Sequence, residues 1–233
     1  MPAALEASRR QLVDSYERLP PDPHLIGDRP FRRRRFVFFD FHSGRGTLRP
    51  FPPEIPYVQP ERLNSYAGGV ARRFSPMRPG VRDGGFLQAL LRMDFDLLPP
   101  EGIDPSARYL VDVHAVRITA HPGAPSSPTP EGPHRDGDCF VFAHLIDRRG
   151  ARGGCSEIYS DDGERLAQKT LSMHLDTLIV WDRYLLHHVT PLCAESASGV
   201  GTRDVLLVGF THVARASEVH AGLAEWLLEH DDG

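Results

Sequence analysis

The stretch "RYLVDVHAVRIT", residues 108–119, is where the texture of the chain changes. It is apolar and β-branched, and turn residues bracket it. Downstream the same texture returns in "DCFVFAHLI" (138–146), "CSEIYS" (155–160), "DTLIVWD" (176–182), "YLLHHVT" (184–190) and "DVLLVGFTHV" (204–213). Short strands separated by Gly, Pro and Asp turns predict an antiparallel sandwich or barrel, not a parallel α/β sheet.

Upstream the periodicity is different. Leu5, Leu12, Val13 and Tyr16 recur at helical spacing over residues 4–18, and "PPDPHLIGDRP" (20–30) ends that helix. "RRFVFFDFHS" (34–43) reads as a strand, and the prolines of "PFPPEIPYVQP" (50–60) exclude regular structure there. Residues 83–98 return to helical spacing, with Phe86, Leu87, Leu90 and Leu91 on one stripe, and "EVHAGLAEWLLEH" (218–230) predicts a closing helix. The expected organisation is a single domain over 1–233. It comprises a helical and irregular support region (1–107), a β core (108–213) and a C-terminal helix (214–233).

A net charge of −4 over 233 residues gives no reason to expect nucleic acid as a partner. The run Arg32 to Arg35 reads as a solvated loop or strand edge. Three cysteines without a CxxC pair form neither a disulfide framework nor a zinc knuckle. The N-terminus lacks an apolar secretory core, and no apolar run is long enough to span a membrane, so a cytoplasmic location is expected. GxSxG, HExxH, GxGxxG and Walker patterns are absent.

The chemistry centres on "PEGPHRDGDCFVF" (130–142), which follows a Pro/Ser-rich loop that is either a flexible insertion or a lid. Side chains two apart on a strand share a face, so His134 and Asp136 converge while Arg135 looks away. An H-x-D pair alone is more often a hydrogen-bonded turn. With a second histidine it becomes the two-histidine, one-carboxylate set of non-haem Fe(II) oxygenases, which leaves open positions on the metal. "WDRYLLHHVTP" (181–191) offers His187 and His188, of which only one can enter. Arg203, on the following strand, suits a carboxylate, because a guanidinium binds two oxygens at once and keeps its charge.

In this order of residues the chain resembles the iron(II)- and 2-oxoglutarate-dependent dioxygenases related to bacterial L-isoleucine 4-hydroxylase. The resemblance is carried by "VHAVRI", "PTPEGPHRDGDCFVFAHLI", "GGCSEIYSDDGERL", "DTLIVWDRYLLHHVTP" and "GTRDVLLVGF", with a looser echo in "PYVQPERLNSYAGGVARRFSPM". Pro133 and Cys155 depart from the family pattern outside the ligand set.

The resemblance implies a mainly β fold, a double-stranded β-helix (jelly-roll, cupin-like barrel) with buttressing N-terminal helices and a C-terminal helix. It implies His134, Asp136 and His187 as ligands of Fe(II), and Arg203 as the anchor of 2-oxoglutarate, with dioxygen as the other cosubstrate. The implied activity is hydroxylation of an unactivated C–H of a free L-amino acid or a close derivative, releasing succinate and carbon dioxide. Tyr57, Gln59, Asn64 and Arg72 are implied on the substrate side. Arg117, a charge within "HAVRITA", is the candidate contact for a substrate carboxylate, set against an internal salt bridge.

His114, His144 and His212 read as core histidines, His121 and His174 as candidates for orienting a ligand, Asp138 as a turn cap set against a contact to a substrate ammonium, and Asp182 with Arg183 as a local turn pair. Three rivals stay open. They are a jelly-roll metalloenzyme without 2-oxoglutarate, a non-catalytic binding domain, and an oxygenase for a tethered or peptidyl amino acid. The expected partner is a small molecule, and a homodimer is compatible with the sequence.

Overall fold

The computed structural model describes residues 1–25, 31–63, 68–220, 223 and 226. Its elements follow in chain order. Helix α1 (Ala3–Ser15) leads to strands β1 (Arg32–His42) and β2 (Thr47–Pro50), then to helices α2 (Pro79–Arg82) and α3 (Gly85–Asp96). Strands β3 (Arg108–Ala120), β4 (Phe140–Arg149), β5 (Ala151–Gly153), β6 (Ser156–Tyr159) and β7 (Arg165–Lys169) come next. After them run β8 (Thr177–Val180), β9 (Leu186–Val189), β10 (Leu192–Ala194), β11 (Gly201–His212) and helix α4 (Val213–Val219). Only the first turns of the C-terminal helix expected over 214–233 are seen, as α4. Beyond His220 that expectation falls outside the described residues, apart from Leu223 and Trp226.

The strands pair antiparallel throughout. A six-stranded sheet has the order β2-β1-β3-β11-β4-β8, a three-stranded sheet the order β7-β6-β9, and β10 pairs with β5. The mainly β architecture with N-terminal helices is thus the one the sequence predicts.

Period-two alternation sorts the large sheet into two faces. Val37, Phe39 and Phe41 of β1, Val111, Val113 and Ala115 of β3, and Leu206, Val208 and Phe210 of β11 form one core with Leu12, Tyr16, Leu87 and Leu91 of the helical region. Burying side chains of this size stabilises the fold by about 1.5–3 kcal/mol each. That is why two short amphipathic helices hold to the sheet although neither has a side-chain N-cap. Two polar contacts fix the docking. The Tyr16 hydroxyl donates to the Val205 carbonyl at 2.9 Å, and His144 lies 2.9 Å from the Asp94 carboxylate of α3, both buried. The opposite face of the large sheet turns toward β6 and β9, and there the alternation delivers Asp112, His114, Arg203 and their neighbours.

Candidate metal centre and its cavity

His134 and His187 face each other as an isolated antiparallel bridge. The His134 amide donates to the His187 carbonyl at 3.1 Å, and the His187 amide returns the bond at 2.9 Å. The backbone therefore fixes the spacing of the two imidazoles, whose ring centroids are 4.4 Å apart. Nδ1 of His134 lies 2.9 Å from the Gly132 carbonyl. That carbonyl can only accept, so Nδ1 carries the hydrogen and Nε2 is left as a ligand atom. Gly132 adopts φ of +81°, a conformation that a side chain would strain, and so turns the carbonyl toward the ring.

Asp136 completes the set. Its carboxylate oxygens lie 3.3 Å from His187 Nε2 and 3.8 Å from His134 Nε2, and one ligand atom from each of the three residues falls within 4.8 Å of the others. Two imidazole nitrogens and one carboxylate, brought together from the loop ahead of β4 and from β9, fit a first-row divalent metal.

Asp182 stands behind them. It is fully buried, accepts from the Gly137 amide at 2.7 Å and the Asp136 amide at 3.3 Å, and lies 3.2 Å from Nδ1 of His187. One carboxylate thus anchors the loop bearing Asp136 by hydrogen bonds and pairs by charge with the ring of His187, whose Nδ1 makes no hydrogen bond. Burial lowers the basicity of His187, but Asp136 and Asp182 outweigh it and raise its pKa to about 10. Desolvation favours the neutral form of the half-buried Asp136, yet the contact with His187 holds it below the usual carboxylate range.

These residues open onto a cavity of about 140 Å³ between the two sheets. Val205, Leu207, Leu178 and Val180 form an apolar wall, and Arg203 lies in the same lining. Arg203 is 2% exposed, and its Nε and one terminal nitrogen have no hydrogen-bond partner. Burial, aided by the nearby Arg148 charge, lowers its pKa to about 10. A buried cation without a counter-ion among the described residues is what a carboxylate of a keto diacid would complete.

His134, Asp136 and His187 are brought together as predicted, and Arg203, Tyr57, Gln59 and Arg72 share their cavity. Gln59 donates to the Asp136 carbonyl at 3.0 Å and accepts from Arg72 at 2.6 Å. Asn64 lies outside the described residues.

Arg117 requires a correction as a substrate contact. It has the parity of Val111, Val113 and Ala115, so it points to the helix side and pairs with Asp204 at 2.7 Å and Glu17 at 2.9 Å. His121 and His174 are also away from the metal site. His121 bridges to Ala124, and His174 contacts the Ile146 carbonyl and Arg9. Asp182 is no mere turn residue, and Asp138 is buried in the cavity wall with Thr211 as hydrogen-bond donor.

The arginine run proves to be strand rather than solvated loop. Arg32 and Arg34 face inward and share Asp22 at 2.7 and 3.6 Å, while Arg33 and Arg35 donate to the Leu19 and Pro76 carbonyls. The residues that sequence reasoning missed in the cavity are Arg34, Asp112 and His114. Parity with His134-facing neighbours would have found them once one inward residue per strand was known.

A family model described as 2OG-Fe dioxygenase matches residues 13–209. The chain is 29% identical over 202 residues to 3(1)-hydroxy-L-isoleucine 4-dioxygenase of Pantoea ananatis (strain AJ13355), covering 86% of this chain and 79% of that protein. It is 29% identical over 158 residues to L-isoleucine-4-hydroxylase of Bacillus thuringiensis, covering 67% and 65% respectively. The crystal structure of IDO from Bacillus thuringiensis superposes with a TM-score of 0.73 at 25% identity, over 89% of this chain and 86% of that one.

Proposed function

The chain belongs to the 2OG-Fe dioxygenase family, and from that premise we propose that it hydroxylates an unactivated C–H bond of a free L-amino acid or a close derivative. Its cofactor set is the family's: Fe(II), with 2-oxoglutarate and dioxygen as cosubstrates. When bound, that set supplies oxidative C–H hydroxylation coupled to decarboxylation of 2-oxoglutarate to succinate and carbon dioxide. His134, Asp136 and His187 would hold the iron. Asp182 keeps the His187 ring oriented, and Arg203 takes the far carboxylate of 2-oxoglutarate. Val205, Leu207, Leu178 and Val180 keep water from the space between, and Tyr57, Gln59 and Arg72 line the substrate side. We read the two facing sheets as a double-stranded β-helix and the 233 residues as one catalytic domain.

The observation that carries the proposal is the buried, unpaired Arg203 in one cavity with a two-histidine, one-carboxylate cluster. A cupin-type enzyme without 2-oxoglutarate has no use for that cation. The two curated relatives, both named for isoleucine or its hydroxylated form, support an amino-acid substrate. A tethered substrate gains no support from the arginine run as an outer docking surface, since Arg32 and Arg34 face the cavity and Arg33 and Arg35 donate to backbone carbonyls. The test is anaerobic loading with Fe(II), then exposure to oxygen with each of the twenty amino acids, with and without 2-oxoglutarate. Succinate above the uncoupled background with at least one amino acid is expected. The proposal fails if none yields it, or if turnover proceeds without 2-oxoglutarate.

A further inference from the structure

Asp112 lies on the cavity face of β3, opposite Gly209 of β11. Asp138 lies just ahead of β4, where the Cys139 amide donates to the Phe210 carbonyl at 2.7 Å and holds this segment against β11. Both carboxylates hang over Gly209, because a Cβ built there would overlap an oxygen of each. Asp112 is 4% and Asp138 2% exposed, and both line the cavity that contains the metal ligands.

Their hydrogen bonding is incomplete. Asp138 accepts from the Thr211 hydroxyl, but Oδ2 of Asp112 accepts no hydrogen bond. His220 is 1% exposed, and neither of its ring nitrogens has a hydrogen-bond partner. Its Nε2 stands 3.8 Å from Asp112 Oδ2 and 4.0 Å from Asp138 Oδ1. Nδ1 of the buried His114 is likewise unpartnered, while its Nε2 lies 3.4 Å from Asp112. Buried polar groups are normally satisfied, so an orphan carboxylate oxygen beside two imidazoles with unpartnered nitrogens calls for a hydrogen-bonding group from outside the chain.

The opposite wall carries the opposite charge. Arg34 and Arg32 share the single carboxylate of Asp22, from which Arg34 Nε is 3.6 Å away, and the buried Nε atoms of Arg34 and Arg72 make no hydrogen bond. On β1, Arg34 stands opposite Val116 of β3 while Phe38 stands opposite Asp112. That is about 13 Å of strand, which the long arginine side chain shortens. A cavity with two carboxylates at one wall and two guanidiniums at another is complementary to a zwitterion.

We infer that the facing carboxylates of Asp112 and Asp138 bind the ammonium group of a free amino-acid substrate, whose carboxylate meets Arg34 and Arg72. This assignment rests on the amino-acid reading above and narrows it to substrates with an unblocked amino group. A primary ammonium brings one positive charge and three donors, which answers both the charge and the unfilled acceptors. Asp112, Asp138 and His220 could also ligate a metal ion. The ammonium is favoured because the two carboxylates face the cavity that holds the catalytic cluster.

The experiment uses the full chain loaded with Zn(II) and 2-oxoglutarate, so that no turnover occurs. Calorimetry then measures binding of L-valine, L-leucine, L-isoleucine and L-methionine, their N-acetyl forms, and the corresponding acids without an amino group. Free amino acids are expected to bind, and the other two series to bind on the order of 100-fold more weakly, as loss of charge-assisted hydrogen bonds requires. Asp112→Asn and Asp138→Asn, each close in shape to the original, should weaken the amino acids similarly without changing affinity for 2-oxoglutarate.

Equal binding of the N-acetyl or amino-free series by the wild-type protein overturns the inference, as does failure of every free amino acid to bind. A second equivalent of Zn(II) that disappears in Asp112→Asn overturns it in favour of a metal site. Amino acids that bind but are never turned over leave this inference standing and remove the hydroxylase reading. Turnover that ignores N-acetylation does the reverse.

Discussion

The carboxylate of Asp182 lies 3.2 Å from Nδ1 of His187, on the far side of the ring from Asp136, which lies 3.3 Å from Nε2. One imidazole therefore lies between two carboxylates with different places: Asp136 faces the ligand point, and Asp182 stands behind the ring as its ion-pair partner. A buried carboxylate in that position sets the tautomer and makes the facing nitrogen a better donor.

Replacing Asp182 with Asn keeps the volume but removes the charge, and an amide can present its nitrogen to the ring. Metal affinity is expected to fall by about 10–100-fold, read by titrating Zn(II) or Fe(II) into the metal-free protein under anaerobic conditions. Unchanged affinity would leave Asp182 as a loop anchor only, through its bonds to the Asp136 and Gly137 amides.

The metal ligands were legible in the sequence through the H-x-D spacing and the later histidine, although no strand carries His134 and Asp136: His134 makes only an isolated bridge to His187, and Asp136 lies in the loop ahead of β4. Helices α1 and α3 were legible because Leu12, Tyr16, Leu87 and Leu91 repeat with the period of the surface they cover. Sequence alone leaves Arg117 between a substrate contact and an internal salt bridge, because a charged residue in an apolar strand looks the same from either face. Only the register with Asp204 and the approach of Glu17, separated from it by 100 positions in the chain, show which face is which. Arg34 was missed because four like charges read as solvent-facing unless the strand's alternation is imposed on them. Asp112 and Asp138 depend on two strands meeting across β11, a relationship that no local pattern encodes.

That placement of Arg117 makes a stability prediction. Arg117→Met leaves Asp204, 1% exposed, as a buried carboxylate without its bidentate partner. Unfolding free energy should drop by about 3–5 kcal/mol, with much of it restored in the double variant Arg117→Met/Asp204→Leu. Denaturant unfolding provides the number, and turnover per folded molecule should stay at the wild-type level because the triad lies across the sheet from the cavity. A substrate-specific rise in KM would return Arg117 to the substrate site.

The third member of that triad titrates. Hydrogen bonds from Arg117 and Arg149 lower the Glu17 pKa from 4.5 to about 2. A depressed carboxylate pKa adds stability that is fully present above the unfolded value and is lost as pH falls through the folded one. The difference in Tm between wild type and Glu17→Gln should be constant above pH of about 4.5 and vanish toward about 2. Its size should be modest, below about 1 kcal/mol, since the Glu17 side chain is 55% exposed and its pairs are screened by solvent. A difference that persists at the acid end would show that packing, not charge, is what the substitution removes.

Arg203 yields a prediction whose two halves have opposite signs. As a buried cation short of partners, it weakens the protein until an anion joins it, because desolvation is not offset. Arg203→Met, which keeps most of the side-chain length without the charge, should therefore raise the Tm of the protein without 2-oxoglutarate. The same change should cost about 1.5–3 kcal/mol of 2-oxoglutarate binding, on the order of 10–200-fold in Kd. In the wild type, adding 2-oxoglutarate with Zn(II) should raise Tm by mass action, and in Arg203→Met that rise should shrink or disappear. Thermal unfolding of both proteins with and without 2-oxoglutarate reads all four states in one series. If Arg203→Met lowers Tm and still gains the full ligand-dependent increase, the guanidinium is structural and the diacid is held elsewhere in the cavity.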